Sequence, residues 1–150
     1  MVSVKVLFDG VPRDFKAVWM DGGVVKLIDQ RELPAAFKVV DARNLGEVAR
    51  AIRDMTVRGA PAIGVTAGYG IAQAALQGVE LDDAARALRA TRPTAYDLFH
   101  AIDVVKRGIE IGGEPVSTAT RYSLGIEEEC RMIGEHGAKL LKDGARVLTH

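Results

Sequence analysis

Two arginines in this sequence stand where an anion could be held. Arg58 lies in "TVRGAPAIGV", residues 56–65, directly before a Gly-Ala-Pro turn and a run of small apolar residues. Arg92 lies in "TRPT", residues 91–94, again in a breaker-rich loop ahead of a helical pattern. A helix N-terminus offers unpaired amides and the positive end of the helix dipole. A cation beside it is unfavourable unless something anionic sits between the two. Guanidinium grips a phosphate through two parallel hydrogen bonds, which lysine cannot do. Gly59, lacking a side chain, lets the backbone come close to a ligand. The competing reading is a solvated or salt-bridged surface arginine, with Asp54 or Asp97 as partners. For an arginine taken alone that reading is the commoner outcome. The tight turn feeding an apolar helix tips Arg58 toward a ligand.

Other chemistry has weaker support. His100 shares a helical stretch with Leu98 and Ile102, which favours a structural role, and His136 sits in a polar, glycine-flanked stretch expected to be exposed. His150 is the last residue of the sequence and gives no basis for a reading. No His-Glu-x-x-His, no paired cysteines and no metal-spaced carboxylates occur. "EEE" at 127–129 reads as a solvated helix face. Cys130 follows those glutamates inside a helical stretch, so a buried, inert thiol is expected. "GYG" at 68–70 falls inside a helical pattern rather than after a strand, so it is not a dinucleotide fingerprint.

The elements that must carry these loops follow from periodicity. "VSVKVLF", "FKAVWM" and "VVKLID" read as strands, punctuated by turns at 9–10 and 21–23, and "FKVVDA" adds a short strand. Asn44 with Glu47 three residues on resembles a capping box, and Leu45, Val48, Ala49, Ile52 and Met55 follow at helical spacing. "PAIGVTAGYGIAQAALQ", 61–77, is almost uncharged, which marks a helix buried on all sides. Pro61 fits its first turn and Gly78 its end. Gly64 and Gly68 imply the close approach of a neighbouring backbone. A short helix over about 82–90 presents Ala84, Ala85 and Leu88. The next has Thr94 as its cap and Leu98, Ile102, Val105 and Ile109 as its face. Helical character then runs from Ser117 to Lys142, and "ARVLTH" reads as a strand.

The fold expected is α/β: an antiparallel β unit over 1–43, a helical subdomain over 44–115, then over 116–150 a connecting helix and the first strand of a Rossmann-like domain. A helix, a tight turn and an apolar strand are how a parallel α/β sheet begins. The chain therefore reads as the front of a longer protein. Its 150 residues carry 20 basic and 20 acidic side chains, and this neutrality argues against a dedicated nucleic-acid binder. The single cysteine excludes an internal disulfide and fits a reducing, cytoplasmic setting. No apolar run approaches a membrane span.

Three blocks, "LIDQRELP" (27–34), "IRDMTVRGAPAIGVTAGYGIA" (52–72) and "TRPTAYDLFHAI" (91–102), resemble methylthioribose-1-phosphate isomerase in content, order and spacing. "GARVLTH" resembles the strand leading into that family's active-site Thr-His-Cys-Asn segment. The likeness covers nearly the whole chain but only the first part of the family's length. Ribose-1,5-bisphosphate isomerase and the regulatory subunits of the translation-initiation exchange factor are more distant relatives. The resemblance implies an aldose–ketose isomerisation of 5-methylthioribose 1-phosphate in methionine salvage, by a cytoplasmic homodimer without metal or organic cofactor. By it, Arg58, Gly59, Ala60 and Arg92 match substrate-binding residues. The catalytic cysteine would follow His150 and an aspartate would come later, so no catalytic residue falls within this chain. Cys130 does not match that cysteine. Two alternatives stay open: a regulatory exchange-factor-like subunit, and an isomerase of another sugar phosphate.

Overall fold

The structure is a computed structural model that describes residues 4–8 and 10–148. β1 (Val4–Phe8) and β2 (Val11–Phe15) pair antiparallel as a ribbon, Val6 opposite Arg13. β3 (Val18–Asp21), β4 (Val24–Ile28) and β5 (Val39–Ala42) form a separate antiparallel sheet, with Leu27 of β4 opposite Val18 on one side and Val40 on the other. The stretch expected as one strand over 15–20 is therefore divided between two sheets. β2 is the strand that periodicity did not show. Its residues Val11 to Asp14 are exposed and include Pro12, so no apolar alternation marks them.

Five helices follow: α1 (Leu45–Arg53), α2 (Ala60–Leu76), α3 (Leu81–Arg89), α4 (Tyr96–Glu110) and α5 (Pro115–Ala138). The capping box forms with a variation. Asn44 Oδ1 accepts from the Glu47 amide at 3.0 Å, while Glu47 reaches back one residue further than usual, to the Arg43 amide at 2.6 Å. Pro61 lies in the first turn of α2, and beyond its end Gly78 takes φ +70° while the Val79 amide closes on the Ala74 carbonyl at 2.9 Å. α3 buries Ala84, Ala85 and Leu88, and α4 buries Leu98, Ala101, Ile102 and Val105.

Three expectations need correction. Thr94 does not cap α4; the cap position is Ala95, without a side-chain bond, because a turn from the Arg92 carbonyl to the Ala95 amide intervenes. The last helix ends at Ala138 rather than near Lys142. Residues 145–148 of the expected Rossmann-like strand form no strand; a strand exists only where it is paired, and no described strand lies alongside them. Val147 and Leu148 are exposed, and Thr149 and His150 lie outside the described residues.

α2 is the hub. Its residues from Ala62 to Ala74 are all buried, and it touches α1, α3, α4, α5, β3 and β4. The small residues make that crowding possible. A Cβ on Gly64 would meet the Asp97 carbonyl oxygen at 2.9 Å, and one on Gly70 would meet Val48 at 2.9 Å. The buried Gln73 ties the helix to the sheet: its Nε2 donates to the Gly23 and Ala42 carbonyls, both at 2.9 Å.

Gly64→Ala is expected to destabilise the fold by roughly 1–3 kcal/mol despite alanine's better helix propensity, because the clash is with backbone. Urea denaturation of the two proteins measures the difference.

Candidate functional site

Each described helix except α2 meets its positive end with something of its own. α1 has the Asn44 cap, α3 has Asp82 and Asp83, α4 has Asp97, and α5 has the Glu114 carboxylate accepting from Val116 and Ser117. α2 has no capping side chain and no acidic residue in its first turn. Its cap position is Gly59, at φ +89°, a backbone conformation that a side chain would strain. Arg58, Gly59 and Ala60 are all exposed there.

Arg58 makes no ion pair with Asp54. Its Nη2 donates to the Gln30 carbonyl at 3.0 Å, the Gln30 side-chain amide donates back to the Arg58 carbonyl at 3.4 Å, and the Gln30 amide reaches the Thr56 carbonyl at 2.9 Å. The guanidinium is thus oriented by a neutral carbonyl, and among the described residues no carboxylate pairs with it. The neighbouring Asp29 is 1 % exposed, and its carboxylate takes Arg31 Nε at 2.9 Å and Nη2 at 2.7 Å. Those Arg31 bonds hold the Asp29 carboxyl below the usual aspartate range, against the opposing effect of burial.

Arg92 is half-buried, and its guanidinium has no hydrogen bond or ion pair among the described residues; Asp97 does not pair with it. The two arginine loops belong to helices that run in the same sense. Gly64 of α2 lies against Asp97 of α4, and further along, Gly68 lies against Val105. The N-termini of α2 and α4 therefore sit at one end of the pair, with Arg58 and Arg92 preceding them. The uncapped end of α2 and two guanidinium groups without a carboxylate partner among the described residues form an arrangement that could hold an anion.

His100 stacks on Tyr96 with ring centroids 5.9 Å apart and tilts against Tyr122 at 6.1 Å. Burial, with the nearby Asp97 charge, pushes the Tyr122 hydroxyl up to about 12. His136 is exposed. Cys130 is half-buried rather than buried, because the second half of α5 covers little core; Ala119 and Ser123 are its buried residues. Glu128 and Glu129 are exposed, Glu128 in an ion pair with Arg131, whereas the half-buried Glu127 pairs with Lys16 at 2.6 Å. Among the described residues no group of three His, Cys, Asp or Glu side chains could hold a metal ion, and no helix is long and apolar enough to cross a membrane. Gln30 is the residue that periodicity missed; its only sequence signal is the break in strand pattern at "DQRELP".

A family model described as the Initiation factor 2 subunit family matches residues 56–150. The chain belongs to that family. Methylthioribose-1-phosphate isomerase from Thermus thermophilus is 46% identical to it over 128 residues, covering 85% of this chain and 38% of the relative. The enzyme of the same name from Methylorubrum extorquens is 44% identical over 146 residues, covering 87% and 40%. The chain thus spans 38 to 40% of the length of these curated relatives. Among solved structures, the delta subunit of translation initiation factor eIF-2B from A. fulgidus superposes with a TM-score of 0.71 at 38% identity, covering 86% of this chain and 42% of that one. 5-Methylthioribose 1-phosphate isomerase from Pyrococcus horikoshii gives 0.64 at 36% identity, covering 76% and 36%.

For this member of the Initiation factor 2 subunit family, the Asp29–Arg31 pair has a pH signature. A carboxyl lowered in the folded state contributes stability that is fully present above the unfolded value and lost as pH falls through the folded one. The stability gap between wild type and Asp29→Asn, measured by denaturation at successive pH values, is expected to close across that acid window. A gap independent of pH would remove the carboxylate's charge from the account.

Proposed function

We propose that this chain is the substrate-binding front portion of an aldose–ketose isomerase that converts 5-methylthioribose 1-phosphate to 5-methylthioribulose 1-phosphate, a step of methionine salvage. The observation that carries the reading is the α2 N-terminus. It lacks any side-chain cap or first-turn acid, and it is paired with Arg58, which has no carboxylate partner among the described residues. The names of the relatives supply the substrate class. In the proposed site the phosphate lies between the α2 amides and Arg58, with Arg92 as the second guanidinium. Gly59 and Ala60 offer a backbone without bulk.

The chemistry explains why the phosphate must be held so firmly. An ester at the anomeric carbon prevents the sugar from opening as a free aldose does, so charge must be stabilised at the sugar while the phosphate stays fixed. On this reading the catalytic cysteine follows the "LTH" motif directly and an aspartate comes later. On this reading residues 116–150 begin a Rossmann-like domain, and the protein works as a cytoplasmic homodimer without metal or organic cofactor.

A second reading, a regulatory subunit of a translation-initiation exchange factor, is favoured by one observation: the higher superposition on the A. fulgidus delta subunit. Calorimetric titration of the chain with 5-methylthioribose 1-phosphate and with ribose 1,5-bisphosphate separates the possibilities. Tighter binding of the first supports the proposed substrate. Tighter binding of the second moves the chemistry to another phosphosugar, and binding of neither leaves the regulatory reading.

Arg58→Ala is expected to weaken binding of the phosphosugar at least about tenfold, since a charge-assisted hydrogen bond contributes about 1.5–3 kcal/mol. Arg58→Lys recovers part of this, because the charge returns without the fork. Arg92→Ala follows the same direction. If Arg58→Ala unfolds the protein while the folded fraction keeps its affinity, Arg58 is a structural residue and the cradle fails. The 150-residue chain is expected to bind without turnover, and isomerisation by it would place the chemistry on the wrong residues.

A further inference from the structure

We infer that Gln30 is a positioning residue for the anion site: its side chain clasps the Arg58 backbone to the turn whose carbonyl takes the Arg58 guanidinium, and so sets the direction of that guanidinium without touching the ligand itself. The inference rests on the proposed phosphate cradle and adds to it a residue from a different part of the chain, 28 positions away.

The geometry is a clasp. Gln30 and Arg58 exchange hydrogen bonds in both directions, guanidinium to backbone carbonyl and side-chain amide to backbone carbonyl, and a third bond runs from the Gln30 amide to the Thr56 carbonyl. An arginine side chain free in solution samples many rotamers, and fixing it at the moment of binding has an entropic cost. One Nη held by a fixed acceptor leaves the remaining donors of the fork pointing in a defined direction.

The acceptor is fixed because its own turn is. The buried Asp29 carboxylate accepts from the Arg31 amide at 3.1 Å and from two guanidinium nitrogens. The Asp29 amide donates to the Lys38 carbonyl at 2.8 Å, and the Glu32 amide to the Asp29 carbonyl at 3.3 Å. The Gln30 carbonyl thus lies in a turn anchored on both sides. The clasp also uses only neutral groups. A carboxylate at this place would orient Arg58 and at the same time neutralise the charge that an anion needs. The main-chain carbonyl of Gln30 orients it and leaves the charge available, while the side-chain amide ties the Arg58 carbonyl to the same turn.

The test is a double-mutant cycle on the 150-residue chain, read as the dissociation constant for 5-methylthioribose 1-phosphate, with melting temperature followed in parallel. Gln30→Ala is expected to weaken binding about three- to tenfold, the worth of one neutral hydrogen bond, with the melting temperature unchanged. In the Arg58→Ala background the same substitution is expected to have no further effect, since a residue acting only through Arg58 has nothing left to act on. Gln30→Asn keeps the amide but withdraws it by one methylene, and should reproduce the alanine result. It serves as the reporter if the alanine variant does not fold. Gln30→Glu should bind more weakly still, because its carboxylate competes for the guanidinium.

Wild-type affinity in Gln30→Ala or Gln30→Asn, alongside a loss in Arg58→Ala, overturns the positioning role and leaves the cradle standing. A loss that persists in full without Arg58 also overturns it. Arg58→Ala with unchanged affinity removes the cradle itself, and the inference with it.

Discussion

The burial of α2 from Ala62 to Ala74 is the constraint on which the other elements depend. A helix that is apolar all round has no face to give to water, so it must be covered on every side. Alanine and glycine make it thin enough for four helices and a sheet to reach it. The three-stranded sheet, α1, α3, α4 and α5 are its coat. Gly64, Gly68 and Gly70 are the points where the coat comes closest: the Asp97 backbone, Val105, and Val48 with Leu88. A helix wrapped along its length can meet solvent only at its ends. The N-terminal end is the one left without cap or acid, so the same burial that organises the fold delivers an electropositive mouth to the surface.

The arginines gain their significance from what does not pair with them. Asp54 and Asp97 are near in sequence, and neither forms an ion pair with Arg58 or Arg92. Elsewhere the chain pairs its charges freely: Arg31 with Asp29, Lys26 with Asp41, Lys106 with Asp82 and Glu110. The contrast separates guanidinium groups that hold the fold from those whose charge is left for use.

Much of this was legible in the sequence where a local rule applied. Asn44 and Glu47 announced a capped start, Gly78 a stop, and the uncharged run after Pro61 a buried helix. The glycines of α2 announced close approach without saying to what. Local rules failed where the deciding partner is distant or absent. β2 is exposed and so leaves no apolar signature, Thr94 lost the cap position to a turn beginning at Arg92, and residues 145–148 lack a neighbour to pair with. The candidate site was half legible. Arg58 and Arg92 stand out by their breaker-rich contexts, but their arrival at one end of two parallel helices depends on how α2 packs on α4. The role of Gln30 depends on a contact between segments 28 residues apart.

The Gln73 amide has a consequence for how the molecule breathes. Its two donors hold the turn at Gly23 and the end of β5 at Ala42 to the last turn of the hub helix. The three-stranded sheet cannot peel away without exposing two carbonyls and a buried amide together, so sheet and helix must open as one cooperative unit. The β1–β2 ribbon shares no strand pairing with that sheet and presents an exposed β2 to solvent. Hydrogen exchange in the ribbon therefore proceeds through small local openings, while the amides of α2 exchange only when the whole unit comes apart. The loop that carries Arg58 is rooted at the rigid side of that boundary.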